Sequence, residues 1–411
     1  MQRNLLLLAA SLLFALALAE GILRLFSPTA LLAKLPNRPN QNVVIATNEF
    51  SSRVMTNARG LRETRNVRVH HPGVFRIAAV GDSFTWGWGV DNAASYPAQL
   101  EALLKQRLGR AIEVINVARP GDDLAGYISL LHHHALPLRP DAVIVGFLPG
   151  NDCPLEWPPR IVPEDQVAGR IAEHVHRALD TAPKGFHLGR LFTVSVGQPL
   201  REWMRARRAP SGGSAIAGDN PLTPKLLARQ IGGDPAKAER VAWLEREGWI
   251  EKGRRWAVSP WLIVSAIEAP DFPRVGLFLD EGSRAAMASQ WRVCEGLIER
   301  MRADVEAVGA RFALLVFPSS MQAEPRAIEH RRALGFAIDE RALGASEPNR
   351  RLAAFCTRTG TLCVDTLEAA RAAVARGKQL FYPLDGHMTR EGYALVAERV
   401  AEAFAPLLAA R

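Results

Sequence analysis

Cysteine is scarce in this chain. The 411 residues hold four, Cys153, Cys294, Cys356 and Cys363, with no CxxC pair and no Cys/His ladder at metal spacing. That argues against a structural zinc site, whose ligands arrive in closely spaced pairs. The run His132-His133-His134 does not supply one, because three consecutive helical residues point in three directions. No metal or cofactor is expected. Cys356 and Cys363 fall on a predicted helix and the strand after it; a disulfide is open to them in an oxidising compartment, but we read them as two buried thiols. Acidic residues are in the minority, 42 against 51 Lys and Arg, for a net charge of +9. Such a balance suits nucleic acid, an acidic membrane surface or an anionic polymer, and location must choose among them. A hydrophobic share of 48% and a charged share of 23% are those of a globular protein, so no long disordered tract is required.

Location is suggested by the N-terminus. Leu5 to Ala19 is an apolar run of 15 residues behind Arg3, the layout of a secretory signal, and Ala17-Leu18-Ala19 could be its cleavage site. Extended to Phe26 the run has 22 residues, about the ~20 needed to span a bilayer, with Glu20 and Arg24 placed to pair near the interface. We take 1–26 as an uncleaved anchor, with a cleaved signal peptide as the alternative. Either reading places the remaining chain outside the cytoplasm and counts against nucleic acid as partner. Residues 27–73 are polar and rich in Asn, Pro and Arg; they read as a linker without chemistry.

From Val74 apolar strands alternate with amphipathic helices, which predicts a parallel sheet covered on both faces. Strands are expected at 74–80, 112–117, 142–147, 312–317 and 362–364, with helices near 96–108, 124–134, 289–305 and 390–408. This connectivity suits a flavodoxin-like five-stranded α/β sheet over 74–152 and 289–411, with 153–288 inserted as a lobe. The lobe holds six of the nine tryptophans: Trp157, Trp203, Trp243, Trp249, Trp256 and Trp261. Residues 201–260 carry 12 Lys/Arg against 7 Asp/Glu, so this window alone supplies +5 of the net charge. The tryptophans are read as the lobe's own core; a cationic lid that stacks on sugars or head groups is the functional alternative. A faint winged-helix pattern around 248–256 is set aside with nucleic acid.

The chemistry gathers at the loops. Val74–Val80 runs into Gly81-Asp82-Ser83, which puts a hydroxyl on a tight turn just past a strand end, where open α/β sheets place their sites. The next two strands lead to Gly121 and Asn151, and the loop after the last strand carries Asp385-Gly386-His387. In a parallel sheet these loops leave from one edge, so groups spread over the chain converge.

Four stretches, Gly81-Asp82-Ser83, Asn116-Val117-Ala118-Arg119-Pro120-Gly121, Gly150-Asn151-Asp152 and Asp385-Gly386-His387, resemble the SGNH/GDSL hydrolase superfamily, in order and each after a strand. With the apolar N-terminus, the chain looks most like membrane-anchored bacterial members. The resemblance implies Ser83 as nucleophile, His387 as its base, and Asp385 as the acid that orients the imidazole. It makes the backbone N–H groups of Ser83 and Gly121 and the side-chain amide of Asn151 the oxyanion donors. One departure stands out: the superfamily commonly sets its acid three residues before the histidine, where this chain has Leu384, and Asp385 is only two before. Asp365 is a poorer substitute that serves the fold. Trp86 and Trp88, just beyond the nucleophile, are candidates to line the acyl or sugar site, with packing under the lobe as the alternative. The function implied is an extracytoplasmic serine esterase acting on acyl esters, with O-acyl groups of a glycan as the expected substrate. An O-acyltransferase of the same fold, a lipid esterase and a non-catalytic glycan-binding scaffold are the alternatives.

Overall fold

The computed structural model describes Ser11 and residues 35–69, 72–180 and 220–409. The chain divides into two units, 1–35 with 180–213 and 36–179 with 214–411. The central sheet and the candidate site belong to the second unit. Trp203 and, apart from Ser11, the predicted anchor lie outside the described residues. No described helix is long and apolar enough to cross a membrane.

Five parallel strands form the central sheet: β3 (Phe75–Val80), β4 (Ile112–Asn116), β5 (Ala142–Phe147), β6 (Arg311–Val316) and β7 (Leu362–Asp365). Their spatial order is β4-β3-β5-β6-β7, so the chain reverses direction of winding between β3 and β5. β3 and β5 are buried at every residue, as strands covered on both faces must be. Alternation along β3 sends Ala78 and Val80 to one core and Phe75, Ile77 and Ala79 to the other. The first core is closed by helices Leu124–Leu130, Glu164–Leu179, Arg284–Ala307 and Glu347–Thr359; the second by Tyr96–Leu108, Leu367–Ala375 and Arg390–Ala409. The helix Leu367–Ala375 separates β7 from the Asp385 loop, which the sequence pattern alone joins directly.

The described residues 35–69 are more than a linker. β1 (Asn42–Ala46) and β2 (Ser51–Met55) pair as an antiparallel hairpin. Ile45, Phe50 and Val54 of this hairpin pack with Trp86, Trp88 and Ala118 as a separate apolar cluster. The polar residues that suggested a linker face water or hold neighbouring loops. Arg62 is buried, and its guanidinium donates to the carbonyls of Trp86, Gly87 and Val90, fixing the turn that follows Ser83.

Glu63 is fixed just as closely. It accepts from the Asn116 N–H at 3.0 Å and lies 3.4 Å from Arg65 Nε, whose guanidinium is shared with Glu101. Burial, with repulsion from Glu101 and Glu113, outweighs Arg65 and lifts the Glu63 carboxyl to about 7. The folded chain therefore holds this proton more tightly than the unfolded chain does. The resulting stability is fully present below 4.5 and is lost as pH rises through about 7. Glu63→Gln keeps an acceptor for Asn116 and removes the titration. Urea unfolding at pH 5 and pH 8 should show the variant gaining on the parent by up to about 3 kcal/mol at the higher pH. Parallel pH profiles would contradict this.

The lobe's borders also shift. Residues 164–179 pack on the sheet's own helix layer, where Ile171 lies against Gly296. The described residues 220–279 are helical and close a third core around Leu222, Leu244, Ile263 and Leu277, together with Ile328, Leu334, Phe336 and Ile338 from beyond the predicted boundary at 288. Trp243 and Trp249 join that core; Trp261 and Trp157 stay exposed. The cysteines are paired, Cys153 with Cys294 and Cys356 with Cys363, which corrects the reading of two free thiols. Cys356 sits in the last turn of a helix that leads through Gly360 into β7, and the two Cα atoms are 6.2 Å apart, within bridging reach. The first pair ties the loop after β5 to helix Arg284–Ala307 across 141 positions of sequence.

Candidate active site

Ser83 opens the short helix Ser83–Trp86 directly after β3, and Asp82 caps it by accepting from the Phe84 N–H at 2.8 Å. The turn is crowded: a Cβ on Gly81 would lie 2.2 Å from Thr85 Oγ1, so no side chain fits there. This packing leaves Ser83 at the floor of a cavity of about 770 Å³ lined also by Trp88, Gly121, Asn151, Arg331, Asp385 and His387.

His387 Nε2 lies 2.7 Å from Ser83 Oγ, and Nδ1 lies 2.5 Å from Asp385 Oδ1. The two-residue spacing succeeds through a tight turn. Phe381 and Met388 form a bridge, the Tyr382 N–H donates to the His387 carbonyl at 2.9 Å, and Gly386 takes a left-handed φ of 83°. Asp385 is thereby folded back beneath the imidazole, where it also accepts from the His387 N–H at 3.3 Å and from Trp88 Nε1 at 3.3 Å. Burial alone would raise its carboxyl, but the imidazole, the hydrogen bonds from His387 and the Arg331 guanidinium hold it below the ordinary value of 3.8. Leu384, in the common acid position, contributes a backbone N–H to Glu49. Asp365 is occupied elsewhere, accepting from Asn349 Nδ2 and from the Leu367 N–H.

Gly121 lines the cavity with φ of 79°, a backbone conformation that L side chains rarely adopt. Asn151 also lines it, but its amide is turned to Asp82 Oδ2 at 3.3 Å and Asp152 Oδ1 at 3.1 Å. Asp152 accepts in turn from the Tyr127 hydroxyl and the Leu148 N–H, each at 2.7 Å. Burial lifts Asp82 to about 6 and Asp152 well above its ordinary range, so these neighbouring carboxyls resist ionising together. The pair anchors the loop that carries Asn151. Trp86 does not line the cavity: it is buried against Arg62, whose guanidinium sits 4.1 Å from the ring centroid. Trp88 is buried too, but reaches the wall and steadies Asp385. His132 is drawn away, with Nε2 2.9 Å from Asp304.

Two site residues escaped the sequence reading. Glu49, from the β1–β2 turn, accepts from the N–H groups of Leu384 and Asp385, both at 2.7 Å, and so clamps the loop that carries Asp385 and His387. Burial raises its carboxyl above the ordinary value, against these two donors. Arg331 lies beside the same loop, with Nη2 3.4 Å from the Asp385 carbonyl, and offsets the charge of Asp385 and Glu49. Glutamine at 49 has one acceptor oxygen for two donors. Glu49→Gln should lower kcat about tenfold with KM within about twofold, since the clamp touches the base and not the substrate. An unchanged kcat on p-nitrophenyl acetate would remove Glu49 from this role.

Comparison with known proteins gives one family match and several distant structural likenesses. Residues 79–216 match the GDSL-like Lipase/Acylhydrolase family, a span that takes in Ser83, Gly121 and Asn151. None of the curated proteins compared matches the chain. Among solved structures, one assigned to the G-D-S-L lipolytic family from Desulfitobacterium hafniense is 13% identical, covering 80% of this chain and 99% of that one at a TM-score of 0.34. An alpha/beta hydrolase from a metagenome of Lake Arreo, Spain, is 13% identical over 82% and 97% at 0.35. A structure assigned as an SGNH hydrolase from Slackia heliotrinireducens is 11% identical over 80% and 99% at 0.33. Residues 79–216 thus carry a GDSL-like lipase/acylhydrolase domain, a match that supports ester hydrolysis as the chemistry, and the five-stranded parallel sheet around it has the SGNH-type α/β fold.

Proposed function

We propose that this enzyme is an extracytoplasmic serine esterase that removes O-acyl groups from a glycan through Ser83, His387 and Asp385. The observation that carries the reading is the hydrogen-bonded chain Ser83–His387–Asp385 at the floor of an open cavity. Ser83 Oγ attacks the ester carbonyl while His387 Nε2 takes its proton, and Asp385 stabilises the imidazolium and holds its tautomer. The oxyanion is met by the N–H groups of Ser83 and Gly121 and by the Asn151 amide, which turns from Asp82 toward the developing charge. The tetrahedral intermediate collapses, the C–O bond to the alcohol breaks, and His387 returns the proton to the departing oxygen. Water then attacks the acyl-serine as the same imidazole takes its proton; the acyl C–O bond to Ser83 breaks, His387 returns the proton to Ser83 Oγ, and the acid is released. Each step moves one proton, so no cofactor is called for.

Location and substrate rest on separate supports. Two disulfides persist where thiols are oxidised, and the apolar run behind Arg3 has the layout of an export signal that would hold the enzyme at the membrane. The net charge of +9 suits an anionic polymer at that place. A fluorophosphonate should modify Ser83 and abolish p-nitrophenyl acetate hydrolysis in step with labelling. Continued hydrolysis by fully labelled enzyme, or labelling that spares Ser83, would overturn the assignment.

A further inference from the structure

The cavity does not end at its lip. Trp261, on helix Pro260–Glu268, is 51% exposed, and it lines both the cavity over Ser83 and a second, shallower depression of about 280 Å³. The rest of that depression is Pro221, Leu226, Arg229 and Gln230. Three features distinguish it from an ordinary surface dent. An indole left half in water is an apolar area that a folded chain would normally cover, and Leu226 beside it is also exposed. Arg229 is exposed, and among the described residues no carboxylate lines the depression. Gln230 Oε1 is buried with no hydrogen-bond partner, in an interior where such atoms are nearly always matched. An aromatic plate, a cation and an unmatched amide are what a sugar ring with hydroxyls and a carboxylate would use. An alkyl chain would leave the arginine and the amide unmet.

We propose that the two depressions form one groove for an acidic oligosaccharide: the acylated sugar lies over Ser83, and a neighbouring uronate-type ring stacks on Trp261 with its polar groups on Arg229 and Gln230. The proposal rests on the glycan-esterase function and adds its substrate class, a chain of sugars bearing carboxylates. Trp261 joins the two depressions because it is the residue common to both linings.

The test compares three acetyl donors on the full-length enzyme in detergent: p-nitrophenyl acetate, chemically acetylated xylo-oligosaccharides and chemically acetylated oligogalacturonides. Trp261→Ala should raise KM for both oligomers relative to p-nitrophenyl acetate by roughly tenfold or more, the scale of a lost stacking contact, and Trp261→Phe should recover part of it. Arg229→Gln should worsen the acidic oligomer relative to the neutral one about tenfold and flatten the salt dependence of its KM. Three results would overturn the groove: substitution effects equal across all donors, no separation of acidic from neutral oligomer by Arg229→Gln, or no action on either oligomer by an enzyme active on p-nitrophenyl acetate. A preference for p-nitrophenyl palmitate that Trp261→Ala abolishes would assign the face to lipid instead. Wild-type enzyme inert on every donor, or activity surviving Ser83→Ala, would reject the esterase reading itself, a result distinct from failure of the groove.

Discussion

Ser83→Ala should lower kcat for p-nitrophenyl acetate by at least about 10⁴-fold while leaving KM within a fewfold and the fold intact. The substitution removes one oxygen, which makes the 2.7 Å contact to His387 Nε2. The helix it opens is capped by Asp82, whose bond to the Phe84 N–H does not involve the serine side chain. The turn is further held by Arg62 on the carbonyls of Trp86 and Gly87, so the backbone donors of the oxyanion site keep their places. On the proposed mechanism, what remains is an oxyanion pocket without a nucleophile, which in serine hydrolases still gives about 10³- to 10⁴-fold over water. Full loss to the uncatalysed rate is therefore not the expectation. Turnover within tenfold of the parent would mean that another group attacks the ester, and the proposed chemistry would fail. Unfolding monitored alongside should show a change under about 1 kcal/mol, because the hydroxyl is partly accessible and leaves no buried partner charged.

The strands and the order of the loops were legible because each sheet element advertises itself locally. β3, β5 and β6 are short apolar runs stopped by Gly or Pro, and a parallel arrangement forces their following loops to one edge. Ser83, Gly121, Asn151 and His387 could be placed on that edge without knowing any distance. Glu49 and Arg62 could not. Each acts through contacts with chain far away, Glu49 on Leu384 and Asp385 and Arg62 on Trp86 to Val90, and a lone acid or arginine in a polar stretch carries no periodicity. The hairpin that delivers Glu49 is five residues a strand with alternating exposure, a signal easily lost among Asn and Arg. The lobe's border was misjudged for a related reason. Its core borrows Ile328, Leu334, Phe336 and Ile338, which in sequence read as part of the sheet domain. Trp86 and Trp88 illustrate the limit at single-residue scale: two positions apart on one loop, one is capped by Arg62 and the other reaches the wall of the cavity.

Asp385→Asn should lower kcat about 10³- to 10⁴-fold at neutral pH although it removes no atom from contact with substrate. The carboxylate accepts from Nδ1, and so keeps the Nδ1–H tautomer that leaves Nε2 free to take the serine's proton. An asparagine can offer its amide N–H to Nδ1 instead, which favours the opposite tautomer and points a proton at Ser83 Oγ. It also cannot stabilise the imidazolium by charge. Arg331 sharpens the effect, because without the carboxylate its cation beside Asp385 further disfavours a second positive charge on the ring. The same substitution has a signature in stability that a general loss of structure would not mimic. Asp385 is held below 3.8 in the folded chain, so the stability it contributes is present above that value and is lost as pH falls through the lower folded value. The parent should therefore be more stable than the variant at pH 7, and the gap should narrow as pH falls below 3.8. Chemical denaturation at both pH values measures the gap, and p-nitrophenyl acetate turnover at pH 7 measures the rate. A variant that keeps more than a tenth of the parent's kcat would show that Asp385 neither orients nor charges His387, and the acid of this site would have to be sought elsewhere.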